Sequence, residues 1–160
     1  MASIYLLKSA FQNVLRPLTR ALAAAHITAN QVTLAALTLS CLVGGVIAAH
    51  PDQTSLLLLL PGTLFIRMAL NAIDGMLARE HDMKTRLGAI LNELGDVVSD
   101  TALYLPLALV PAFNQWLVVS IVILAVMVEM TGVVAVQIGA SRNYAGPMGK
   151  SDRAFAFGLI

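Results

Sequence analysis

Residues 71–100 read NAIDGMLAREHDMKTRLGAILNELGDVVSD. Six acidic residues, Asp74, Glu80, Asp82, Glu93, Asp96 and Asp100, stand here in surroundings that are almost entirely apolar. Hydrophobic periodicity places Asp74, Glu93, Asp96 and Asp100 on two membrane helices, joined by a short polar connection over 80–85. An ionisable group at the centre of a membrane helix costs about 2.5–3.5 kcal/mol on insertion scales, so a row of them is read first as function.

Composition agrees with a membrane setting. The 160 residues are 58% hydrophobic and 12% charged, with a mean hydropathy of +0.81, whereas a soluble domain carries about 25% charge. The expected fold is all-α, a polytopic transmembrane helical bundle. A formal net charge of +1 offers no polyanion-binding surface, which argues against nucleic acid as a partner. The single Cys41 lies in an apolar run and excludes a disulfide framework; it reads as a small packed residue. No basic segment, long apolar stretch and small-residue cleavage site follow Met1 in the order a signal peptide needs.

Outward from the acidic stretch, the pattern gives one membrane domain over 1–160. Residues 1–24 form its amphipathic leader, with Ile4, Leu7, Phe11, Val14, Leu15, Leu18 and Leu22 at three- and four-residue steps. Such a helix lies on a membrane surface rather than crossing it, although the same spacing suits an ordinary packed helix. Thr28 and Gln31 fit a capping box. Spans are expected over about 29–49, 55–79 (with Pro61 as a kink), 86–109 and 117–140, with Trp116 at an interface. A loop over 141–150 leads to a fifth helix that stops at Ile160 inside an apolar run. That leaves too few residues for a span, which takes about 20, so the chain is expected to be C-terminally truncated. Of the ten basic residues, all but Arg67 fall on the side of the membrane that holds the N-terminus. The positive-inside rule makes that side cytoplasmic, and the acidic stretch opens toward it.

On the second span, Arg67, Asn71, Asp74 and Ala78 share one face. On the third, Gly88, Asn92, Asp96 and Asp100 follow at four-residue steps, with Glu93 at the edge. Facing carboxylate and amide oxygens suit a hard cation such as Mg²⁺ or Mn²⁺. Gly75, Ala78 and Gly88 leave room for a large ligand, and a metal beside open space and basic residues favours a phosphorylated one. Polar residues also hold membrane helices together, at about 0.6 kcal/mol per hydrogen bond. That role needs one or two groups, not a row of acids beside three small residues.

These residues resemble the signature of the CDP-alcohol phosphotransferases, D-x2-D-G-x2-A-R-x8-G-x3-D-x3-D. Here it stands as Asn71, Asp74, Gly75, Ala78, Arg79, Gly88, Asn92 and Asp96, with every spacing kept and six of eight fixed residues identical. Ala29, Asn30 and Thr33 are similar to the family's P-N-x-x-T, with Ala29 in place of proline. The resemblance extends along the chain and points to a bacterial inner-membrane branch. It implies six spans, a homodimer, and displacement of CMP from CDP-diacylglycerol or another CDP-alcohol by an alcohol hydroxyl in phospholipid synthesis. The family's two divalent ions sit on four motif aspartates. By analogy Asp74 and Asp96 are metal ligands, Asp96 is also the general base, and Asn71 and Asn92 complete the set. Gly75, Ala78, Gly88, Asn30 and Thr33 then belong to the substrate pocket, and Arg79, Lys150 and Arg153 meet phosphate groups or serve only as positive-inside anchors. The two asparagines depart from the pattern: an amide oxygen can bind a metal but adds no charge. Glu93 and Asp100 are candidates to compensate. Two other classes fit the same stretch, a catalytically silent CDP-lipid-binding membrane protein and a transporter with the acidic stripe as its cation path.

One expectation needs no family. Arg67 lies twelve residues before Arg79, Asp100 fourteen after Arg86, and Glu129 thirteen before Arg142. At 1.5 Å per residue all three sit about 18–21 Å from the same ends of their helices. Charges at one depth in lipid should pair, so Arg67 is expected to contact Asp100 or Glu129 in an ion cluster beneath the site, in competition with metal binding by Asp100. His26, His50 and His81 are too scattered to suggest zinc.

Overall fold

A computed structural model describes residues 3–139, and the order of its elements is helical throughout. The loop over 141–150, Arg142, Lys150, Arg153 and the expected fifth helix lie outside the described residues. Helix α1 covers Ser3–Ala24, α2 Ala29–Ala49, α3 Leu59–Glu80, α4 Arg86–Tyr104 and α5 Gln115–Gln137. Short 3₁₀ turns precede α3 (Thr54–Leu58) and follow α4 (Leu105–Leu109). Among the described residues there is no strand, and the architecture is a membrane helical bundle.

Local chemistry sets the helix starts. The Thr28 backbone N–H donates to Gln31 Oε1 at 2.8 Å, and Thr28 Oγ1 accepts from the Gln31 N–H at 3.3 Å, so the capping box forms. Thr85 caps α4 by accepting from the Gly88 N–H at 2.8 Å. Asn114 caps α5 by accepting from the N–H groups of Trp116 and Leu117. Pro61 lies near the start of α3 rather than in the middle of the second span. The 3₁₀ turn delays α3 until Leu59, so the proline falls in the first helical turn, where an N–H has no intrahelical acceptor anyway.

Among the described residues, three helical stretches are long and apolar enough to cross a membrane: Ala29–Ala49, Thr54–Glu80 and Gln115–Val136. Helix α4 is not among them, because Arg86, Glu93, Asp96 and Asp100 lower its apolar content. It runs beside α2 nonetheless. Asn30 meets Thr85 at one end, and at the other a Cβ on Gly44 would collide with the Ala102 carbonyl oxygen. The backbones of α2 and α4 thus touch where only glycine fits, the close approach that small residues permit in membrane bundles.

Helix α2 packs against both α3 and α4, whereas α3 and α4 make few close backbone approaches to each other. The short connection over 81–85 does not make them directly packed neighbours: α2 lies behind both, and they meet through long polar side chains. Arg67 meets Asp100 and Asn71 meets Asp96, which fixes an antiparallel register across the gap. One apolar cluster, including Ile47, Leu60, Leu64, Leu103, Leu107 and Val122, closes the end of the bundle away from the α3–α4 connection. A second, of Ala29, Val32, Ile73 and Leu77, packs near that connection with Leu15 and Leu22 of α1 against it. Helix α1 is tied to α3 by an Arg16–Glu80 ion pair at 3.0 Å and an edge-on Phe11–Phe65 contact. Phe65 lies about 22 Å of helix rise before Glu80, so α1 runs obliquely along α3.

Candidate functional site

The cleft between α3 and α4, backed by α2, gathers the polar residues of the acidic stretch. Each reaches it for a reason of helical spacing. Arg67, Asn71 and Asp74 follow at steps of four and three on α3, and Asn92, Asp96 and Asp100 at steps of four on α4. The register that joins 67 with 100 and 71 with 96 puts Asp74 level with Glu93, and Gly75 level with Asn92.

Asp74 is only 5% exposed, and a carboxylate so deeply buried needs partners. Thr33 supplies one from α2: its Oγ1 donates to Asp74 Oδ2 at 2.8 Å. The sequence reading put Thr33 in the substrate pocket; the structure places its hydroxyl on a motif carboxylate. Asn30, expected beside it, donates from Nδ2 to Thr85 Oγ1 at 3.4 Å. A Cβ on Gly88 would lie 2.6 Å from Asn30 Oδ1 and 2.9 Å from Thr85 Oγ1. The glycine therefore leaves space that Asn30 fills, and the pair joins α2 to the first turn of α4.

Asp96 is more open, with 18% of its side chain exposed. Its Oδ1 accepts from Asn71 Nδ2 at 3.1 Å and lies 3.5 Å from Arg67 Nη2. Below it, Arg67 Nη1 donates to Asp100 Oδ1 at 2.6 Å. Arg67, 4% exposed, is thus clamped between two carboxylates one helical turn apart. Its Nε–H is buried without an acceptor, an omission that costs about 1–3 kcal/mol. Glu129 borders a small cavity between α4 and α5 that Asp100 and Tyr104 also line. Arg79 folds back along α3, and a Cβ on Gly75 would lie 3.1 Å from its guanidinium. Gly75 thus leaves room for a flexible cation beside Asp74. Ala78 is partly buried one turn further along α3 and packs toward the apolar cluster of α2.

The donors of Asp74, Asp96, Asn71 and Asn92 are all hard oxygens or amides, the chemistry that suits Mg²⁺ or Mn²⁺. Among the described residues no three His, Cys, Asp or Glu side chains gather closely enough to hold a metal unaided. Any ion here takes its remaining ligands from amides, water or a bound diphosphate.

The sequence put Asn30 and Thr33 of α2 beside these residues through the P-N-x-x-T likeness alone; their contacts with Thr85 and Asp74 come from the structure. Thr33 shares α2 with other polar side chains, among them Thr38 and Ser40, so its hydroxyl alone did not mark it out. A larger cavity of about 620 Å³, lined by Cys41, Gly44, Gly45, Ala102, Leu105 and Trp116 among others, lies at the opposite end of the bundle and contains none of the acidic residues.

Comparison with known proteins bears on this cleft. The family model for CDP-alcohol phosphatidyltransferase matches residues 26–160. The chain is 54% identical over 157 residues to the inner membrane protein YnbA of Escherichia coli (strain K12), covering 98% of this chain and 78% of that protein. No solved structure matches.

Proposed function

Because the chain belongs to the CDP-alcohol phosphatidyltransferase family, we propose that it transfers a phosphatidyl or substituted phosphate group from a CDP-linked lipid to an alcohol hydroxyl, releasing CMP. The family itself places it among phosphotransferases of lipid synthesis. The finer reading rests on one observation: the two halves of the motif, on different helices, meet across the cleft where Asn71 donates to Asp96.

In this reading Asp96, the more open carboxylate, takes the proton from the acceptor hydroxyl. The new O–P bond forms at the β-phosphorus as the bond from that phosphorus to the bridging oxygen breaks, and CMP departs with the electron pair. Asp74, fixed by Thr33, and the oxygens of Asn71 and Asn92 would hold Mg²⁺ or Mn²⁺. The metal supplies Lewis-acid stabilisation of charge on the diphosphate. The nucleotide enters beside Gly88 once the Asn30 side chain moves aside, and Gly75 seats Arg79, which meets a phosphate. Lys150 and Arg153 join it in the same role. Glu93 and Asp100 flank the site, with Asp100 committed to Arg67 rather than to the ion. The whole of 1–160 forms one domain, its N-terminus and cleft face the cytoplasm at the inner membrane, and the protein is a homodimer.

The test is CMP release from membranes carrying the protein, given CDP-diacylglycerol, Mg²⁺ or Mn²⁺ and a panel of alcohols, beside Asp96→Ala. CMP that requires metal and one alcohol, and vanishes in the variant, is the expected result. Bound CDP without any CMP release would make the site a silent CDP-lipid receptor and refute the transfer reading.

A further inference from the structure

We propose that this cleft works with one divalent cation, where the four-aspartate signature serves two, and that the Arg67 guanidinium is a positioning residue standing in for charge the second ion would bring to Asp96. The inference rests on the phosphotransferase reading and concerns how this chain departs from it.

The departure begins with charge. Asn71 and Asn92 leave the four motif positions with two carboxylates, Asp74 and Asp96. One divalent cation balances those two; a second would have no motif carboxylate left to balance it and would depend on Glu93 or a bound diphosphate. Geometry points the same way. Asp96 Oδ1 accepts from Asn71 Nδ2 at 3.1 Å and has Arg67 Nη2 at 3.5 Å. An aspartate at position 71 would present a second acceptor toward Asp96, and two facing acceptors need a cation between them. The Asn71 amide presents a donor instead and joins the carboxylate directly.

Arg67 adds a cation that cannot titrate away. Its side chain is 5% exposed and holds Asp100 Oδ1 at 2.6 Å as well as approaching Asp96. Asp100 is therefore engaged by the arginine and does not replace a missing motif carboxylate. Among the described residues no third acid, histidine or cysteine joins Asp74 and Asp96 in a metal-holding group. A second ion placed on Asp96 would meet the guanidinium as a like charge at close range, a repulsion that only added carboxylates at 71 and 92 would offset.

The experiment counts ions rather than turnover. Purified protein in nanodiscs is dialysed against Mn²⁺ with and without CDP, and bound Mn²⁺ is read by electron paramagnetic resonance. The expected result is one Mn²⁺ per chain with an uncoupled six-line signal. Asn71→Asp/Asn92→Asp should bind two, about 3.5–4 Å apart and spin-coupled. Two coupled ions in the unaltered protein, or none, would overturn the proposal, as would a folded double variant that still binds one. Asn92→Asp alone keeps the Asn71–Asp96 contact and should stay at one ion; a gain to two there would remove Asn71 and Arg67 from the explanation. CMP release in the same preparation separates the readings. Two ions with CMP release defeats only the ion count, whereas one ion with neither CMP release nor CDP binding defeats the phosphotransferase reading alone.

Discussion

Replacing Arg67 with methionine preserves side-chain length and apolar contact while deleting the guanidinium. The structure then leaves two carboxylates, Asp96 and Asp100, one turn apart on α4 with their shared cation gone. The Arg67–Asp100 pair is short, 2.6 Å, and its side chains are 5% and 13% exposed, so solvent does little to take over from a lost partner. Removing one member of so buried a pair should destabilise the fold by about 3–5 kcal/mol, because the survivor is an uncompensated charge. Asp100→Asn should cost less, about 1–2 kcal/mol, since Arg67 keeps its approach to Asp96 and an amide oxygen can still accept its hydrogen bond. The double variant Arg67→Met/Asp100→Asn removes the short pair whole and leaves only the longer approach to Asp96 unmet, so it should fall between the two singles, at about 2–3 kcal/mol, a coupling of about 3 kcal/mol. Reversible unfolding in mixed micelles, followed by far-ultraviolet circular dichroism, gives the three values. A coupling within about 0.5 kcal/mol of zero would mean that the two residues are near each other without depending on each other.

The adjacent glycines of α2 should behave oppositely: Gly44→Ala drives a methyl into the Ala102 carbonyl and should cost about 3 kcal/mol or more, while Gly45→Ala meets nothing within 4 Å and should be neutral or gain about 0.5–1 kcal/mol in unfolding free energy. Thr33→Val removes the donor to Asp74 at 2.8 Å, a charge-assisted bond of about 1.5–3 kcal/mol. Calorimetric Mn²⁺ affinity should drop roughly ten- to hundredfold, Thr33→Ser should restore it, and an unchanged Thr33→Val would remove Thr33 from the site. Gly88→Ala must push aside Asn30 and the Thr85 cap, so amide exchange in the first turn of α4 should quicken before global stability falls. Arg16→Ala breaks an ion pair whose side chains are 36% and 40% exposed and should change the melting temperature little, in keeping with a surface pair worth about 0–1 kcal/mol.

Periodicity and spacing carried a great deal of this architecture because membrane helices advertise themselves. The apolar runs, the Thr28–Gln31 box and the four-residue stripes all follow from local rules, and equal helix rise was enough to bring Arg67 and Asp100 to one depth. What the sequence did not disclose was three-dimensional company. Helix α2 is apolar around most of its circumference, so nothing in its pattern states that one face meets α3 and another α4. The tight seat of Gly44 depends on a carbonyl 58 residues away in the chain. Pro61 looked like a kink because a 3₁₀ turn and the start of an α-helix have the same apolar composition, and only the hydrogen bonding distinguishes them.

The arrangement explains why a helix without a motif carboxylate matters to the chemistry. If α3 and α4 packed directly, Asp74 and Asn92 would face each other across a sealed seam and no ligand could enter. By lying behind both, α2 spaces them so that long side chains bridge the depth, at Arg67–Asp100 and Asn71–Asp96. The upper cleft is lined instead by glycines. The same helix then fixes the two walls independently, Thr33 gripping Asp74 on α3 and Asn30 gripping the α4 cap. Preorganised donors do not have to be rearranged during the reaction, which is where electrostatic stabilisation gains most of its effect. Substitutions on α2 should therefore alter metal affinity and turnover without touching the nucleotide, the signature expected of a wall that holds the site in place.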